Sequence, residues 1–96
     1  MKVKKREGNV VDFDFNKIIN VITKVLKENN LSPEYILEYD TGQLEKVFTE
    51  LNVDLICIED IQNIIEHFLN STYGYDVAKS YSLYREKHRV IREMAD

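Results

Sequence analysis

Residues 2–6 and 10–13 form two short runs, separated by Glu7-Gly8-Asn9. Two strand-like runs around a glycine mark a β-hairpin, because glycine takes a positive φ without steric penalty. In the first strand Val3 and Lys5 then share one face, and Lys4 and Arg6 the other. The period changes at the next segment. Ile18, Ile22, Val25 and Leu26, with Ile19 beside them, draw a helical stripe. Asp14 or Asn16 can cap that helix, and Asn29-Asn30 is a fitting stop. A second helix is clearest over 43–51, where Leu44, Val47, Phe48 and Leu51 recur at i, i+3, i+4 and i+7.

The stretch 33–41 carries the weakest pattern, and a short helix over 33–38, opened by Ser32-Pro33, is one reading of it. Residues 53–58 are mostly β-branched or apolar and fit a short third strand. A third helix over about 59–70 follows from Ile61, Ile64, Ile65 and Phe68. Tyr73-Gly74-Tyr75 interrupts the chain, and Asp76 is placed to cap a fourth helix. Its stripe is Val77, Tyr81, Tyr84, His88 and Ile91. The stripe runs to the chain's end with no stop signal, so the helix is expected to continue in a longer protein of which residues 1–96 are an N-terminal domain. The element order is ββα, α, β, α, α, an α+β class with four helices and a small sheet.

A chain of 96 residues is one domain by default. Its 44% hydrophobic and 31% charged content is that of a soluble globular domain. The single cysteine, Cys57, has no disulfide partner and no companion for a metal site, which points to a reducing, cytoplasmic setting. Its apolar neighbours Leu55, Ile56 and Ile58 predict that it is buried. No apolar run approaches the roughly 20 residues of a membrane span, so no membrane partner is expected.

The net charge of −4 is unevenly spread. Residues 1–6 hold four bases and no acid, 7–76 four bases against fourteen acids, and 77–96 five bases and three acids. Basic ends around an acidic middle suggest an anionic partner near the termini, although ordinary solvated charge explains the same distribution. An acidic whole argues against a nucleic-acid partner, which requires a broad basic face.

No catalytic constellation stands out, so no enzymatic activity is expected of the chain. His67 and His88 have no cysteine or second histidine at ligand spacing, and His88 falls on the apolar stripe, where a structural, hydrogen-bonded role is expected. Glu59-Asp60 reads as acid at a helix start. Gly8, Gly42 and Gly74 form no phosphate-cradling run. Phosphate can be held another way, by Lys5 and Arg6 of the hairpin together with Lys17 in the first helical turn. The helix dipole disfavours a cation at Lys17, which marks it as a candidate for function beside the simpler reading of a solvated lysine.

The run from Val3 through Lys5-Arg6, Gly8, Phe13-Asp14 and Lys17-Ile18 closely resembles the opening of the ATP-cone domain, V-x-K-R-x-G-x-x-x-x-F-D-x-x-K-I. A second block, Ile58-Glu59-Asp60-Ile61-Gln62 through Tyr75-Asp76-Val77-Ala78 to Tyr84-Arg85, resembles the family's C-terminal half. The resemblance implies a four-helix bundle capped by a small three-stranded mixed β-sheet. It implies an allosteric domain that binds ATP or dATP, with Mg2+ allowed beside the triphosphate, and controls a ribonucleotide reductase, the anaerobic class being one option. The implied partners are the catalytic body or a second reductase subunit, and a further copy through cone contacts. The phosphate ligands fall on Lys5, Arg6 and Lys17, with Lys87 on the fourth helix as a further candidate. The base pocket falls on Val3, Phe13, Ile18, Ile58 and Ile61, Gln62 lies near the ribose, and Val11 and Asp14 match positions that contact the base in some members. Val11 and Ile58 are apolar where some members carry polar groups. The alternative is a degenerate cone that docks a protein and binds no nucleotide.

Overall fold

The computed structural model describes residues 1–32 and 38–95, the side chains of 38, 39 and 90–95 excepted. The short helix expected over 33–38 and the Ile91 end of the last stripe fall outside what is described.

Strand β1 (Lys2–Lys4) pairs antiparallel with β2 (Val10–Asp12), Val3 lying opposite Val11. The Lys5 amide donates to the Asn9 carbonyl at 2.9 Å and the Gly8 amide to the Lys5 carbonyl at 3.0 Å. Those bonds make Arg6-Glu7-Gly8 the loop, one residue earlier than the sequence pattern placed it. The cause is Gly8, whose φ of 93° supplies the left-handed residue that closes a three-residue hairpin. Arg6 therefore belongs to the turn and not to the strand.

Strand β3 (Leu55–Cys57) lies parallel to β1 with Ile56 opposite Val3, giving the order β2-β1-β3. The row Val11, Val3 and Ile56 packs into the core. Leu55 and Cys57 must then point outward, because side chains alternate along a strand. Cys57 is exposed, contrary to expectation, since only every second residue of this edge strand meets the core.

Helix α1 (Phe15–Glu28) is capped by Asp14, whose carboxylate accepts the Asn16 amide at 3.0 Å. It ends at Asn29, and Asn30 follows with a left-handed φ of 59°. Helix α2 (Glu38–Leu51) starts before the expected residue 43. Leu44 and Phe48 are buried, whereas Val47 and Leu51, expected on the same stripe, are 44% and 40% exposed. Cover over this helix is narrow. Phe48 meets the ring of Phe13 at 5.1 Å and that of Phe15 at 6.4 Å, which secures one i, i+4 row.

Helix α3 (Ile58–Tyr73) begins directly at the end of β3. Only Gly74, at φ 102°, separates it from α4 (Tyr75–Ala95), and Asp76 lies inside the first turn of α4 rather than at its cap. Helix α4 packs along α3 and α1. Ile22, Val25, Leu26, Leu44 and Leu69 are fully enclosed at the centre, each contributing about 1.5–3 kcal/mol by burial. Among the described residues the fold is thus α+β, four helices under a three-stranded mixed sheet.

The two sides of α2 differ enough to test. Phe48→Ala should cost about 3–5 kcal/mol in urea unfolding. Val47→Ala, on the exposed side, should stay within about 0.5 kcal/mol.

Candidate functional site

The start of α3 follows β3 without a loop, and β3 is paired to β1, so the hairpin turn hangs beside the first turn of α3. Below it lies a cleft of about 220 Å³ between three helices. Its floor is apolar, formed by Ile18 of α1, Ile58, Ile61 and Ile65 of α3, and Tyr81 of α4. Lys17, Gln62, Arg85 and His88 supply polar and basic groups to the same lining.

Arg6 closes one side. Its Nη2 donates to Gln62 Oε1 at 3.3 Å, and its Nε lies 3.1 Å from Glu59 Oε1. Arg85 Nη1 donates to Asn63 Oδ1 at 3.0 Å. On α4 the Glu86 carboxyl is held below the usual carboxylate range, first by its hydrogen bond from Arg89, with smaller pulls from Arg6 and Arg85. Tyr84 stacks near Tyr81 at 6.5 Å, meets the His88 ring at 4.1 Å, and lies 5.8 Å below Lys24 Nζ. The arrangement suits a flat apolar group on the floor with an anion at the rim.

Five residues singled out from the sequence meet in this cleft: Lys17, Ile18, Ile58, Ile61 and Gln62. Arg6 joins them through Gln62. The others do not line it. Val3 is buried beneath the sheet and Val11 is paired to it. Phe13 packs on Phe48, and Asp14 serves as the α1 cap. The backbone of Lys5 closes the hairpin turn. Lys87 lies in an adjoining depression that shares Tyr84 and His88 with the cleft.

Val21, Ile65, Tyr81, Tyr84, Arg85 and His88 were not singled out as site residues, yet all six line the cleft. His88 is exposed there rather than enclosed on a structural stripe. The available signal was the change of character along α4. Its stripe is apolar at Val77 and Tyr81 but turns polar at His88, with Arg85 beside it.

A larger depression of about 450 Å³ lies between α3 and α4, lined by Asn63, Glu66, His67, Asn70 and Lys79 among others. It gathers none of the expected residues and its lining is more polar than that of the smaller cleft, which is the better candidate. Among the described residues no cluster of three His, Cys, Asp or Glu side chains could hold a metal ion. No helix there is long and apolar enough to cross a membrane.

The fold is a mixed three-stranded sheet on a four-helix bundle, with the hairpin turn standing over a three-helix cleft. The sequence profile of the ATP cone domain matches residues 1–90, and the chain belongs to that family. It is 41% identical to the vitamin B12-dependent ribonucleoside-diphosphate reductase of Thermoplasma acidophilum, over 96% of this chain and 12% of that protein. It is 33% identical to the anaerobic ribonucleoside-triphosphate reductase of Haemophilus influenzae, over 93% and 13%. It is 28% identical to the ribonucleoside-diphosphate reductase subunit alpha of Chlamydia muridarum, over 97% and 10%. The chain therefore spans about an eighth of the length of these curated relatives or less.

Burial of the cleft floor has a pH consequence. Tyr81 is 3% exposed, and burial pushes its phenol well above the ordinary tyrosine value. Above pH ~10 the unfolded chain releases this proton while the folded chain keeps it, so stability falls as pH rises. Tyr81→Phe should flatten part of that alkaline loss in urea midpoints compared at about pH 9 and pH 11. Tyr73, raised by burial and by Asp40, retains a further part.

Proposed function

We propose that this chain is an allosteric, non-catalytic domain that binds ATP or dATP in the three-helix cleft and reports its occupancy to the catalytic body of a cytoplasmic ribonucleotide reductase. The observation that carries the reading is the bond from Arg6 to Gln62. It joins the basic hairpin turn to a cleft whose lining already includes Lys17 and an apolar floor.

A volume of about 220 Å³ suits a purine base better than a whole nucleotide. The base would lie against Ile18, Ile58 and Ile61, with the ribose edge towards Gln62. The triphosphate would leave along the rim to Arg6 and Lys17, with Lys5 and Lys87 reaching in from either side. Mg2+ would travel with the phosphates. Ile58 offers the base an apolar surface and no side-chain hydrogen bond. The similarity extends across three types of reductase, so the reading does not depend on the anaerobic class.

A second role has its own observation. Val47, Leu51, Val53 and Leu55 are each at least 40% exposed along the end of α2 and the approach to β3. They offer an apolar strip for the reductase body or a second cone. If docking alone is the function, size-exclusion profiles will be identical with and without nucleotide.

Titration calorimetry of the 96-residue chain tests the main reading. Saturable binding of ATP and dATP is expected, and no heat with either contradicts it. Lys17→Ala should weaken ATP binding by about 10- to 100-fold, the worth of one charge-assisted bond.

A further inference from the structure

Arg6 reaches from the hairpin turn to Gln62 in the cleft lining, and its guanidinium is also engaged by an acid. The Glu59 carboxylate sits 3.1 Å from its Nε. We propose that Glu59 is an internal competitor for the anionic ligand, an affinity-setting residue that Arg6 must leave in order to meet a phosphate. The inference rests on the nucleotide reading above and adds to it a residue that would not touch the nucleotide.

Three observations support the exchange. First, the pair is partly open to water, with side-chain exposures of 26% for Arg6 and 47% for Glu59, so a phosphate can approach. Second, Glu59 keeps a favourable place when Arg6 leaves. It stands in the first turn of α3, whose cap residue Cys57 makes no side-chain hydrogen bond, and an acid there is attracted by the helix dipole. Third, the neighbouring carboxylate of Glu86 is hydrogen-bonded by Arg89, leaving Glu59 as the acid that contacts Arg6. The bond to Gln62 Oε1 comes from Nη2 and not from Nε, so Arg6 can leave Glu59 without giving up Gln62.

The size of the effect follows from the kind of pair. Exposed ion pairs contribute little, so the competition should lower affinity by about 1.5- to 5-fold. The competitor thus sets sensitivity and does not block the site.

A double-mutant cycle read by ATP calorimetry tests this. Glu59→Gln and Glu59→Ala should tighten ATP binding by about 1.5- to 5-fold. The same Glu59 substitutions placed on Arg6→Ala should change ATP affinity little, because the contact is already gone. Asp60→Asn, one residue along the same helical turn, should leave affinity near that of the wild-type chain. No tightening in either Glu59 variant overturns the proposal while the nucleotide reading stands. So does an equal gain on the Arg6→Ala background or from Asp60→Asn, either of which marks a general field effect. A wild-type chain that binds no ATP overturns the nucleotide reading and this inference together. Thermal melts accompany each variant, and Glu59→Gln carries the test should the alanine variant prove unstable.

Discussion

The parallel pairing of β1 with β3 is the constraint from which the rest of the arrangement follows. Val3 stands opposite Ile56, and the Lys2 amide donates to the Asp54 carbonyl at 2.7 Å. Parallel strands need a long connection, and here α1 and α2 supply it. The pairing thereby holds the first residues of the chain against a segment more than fifty residues away. Since α3 starts at the very next residue after β3, the hairpin turn is brought to the first turn of α3. Weakening the Val3–Ile56 row would detach Arg6 from Gln62 without touching either side chain.

Division of labour within the cleft is clear in physical terms. The helices give a floor of branched apolar residues and one enclosed tyrosine. Charges are kept at the rim, where water still reaches them and no isolated ion is buried. Such a rim discriminates by charge count and reach more than by depth. It also permits exchange: Arg6 can trade one anion for another at small cost, which a buried pair could not do.

Much of this was legible in the sequence, and unevenly so. Helix α1 was readable because Ile18, Ile22, Val25 and Leu26 all enter the core. Helix α2 was only half readable, because Asp40, Thr41 and Gly42 precede Leu44 without an apolar repeat. Leu51 and Val47 kept helical spacing yet face water, since periodicity shows which residues share a face and not whether anything covers it. Cys57 misled for the same reason in strand form. Motif likeness assigned Lys17, Ile18, Ile58, Ile61 and Gln62 to one site, and the fold places these five along one cleft. It could not show that Arg6 is already paired to Glu59, a contact between the turn and α3 that depends on tertiary register. Tyr84, Arg85 and His88 were hidden because a cleft wall and a core face have the same helical spacing.

The central claim is that an adenine nucleotide occupies the hairpin end of this bundle. Amide NMR of the uniformly labelled chain during an ATP titration tests it most directly. The account predicts shifts gathered in the Arg6–Gly8 turn, around Lys17 and Ile18, around Ile58 to Gln62, and around Tyr84 to His88, with Val47 and Leu51 unmoved. Shifts gathered instead around Asn70 and Lys79 in the larger depression, or no saturable shifts at all, would contradict it.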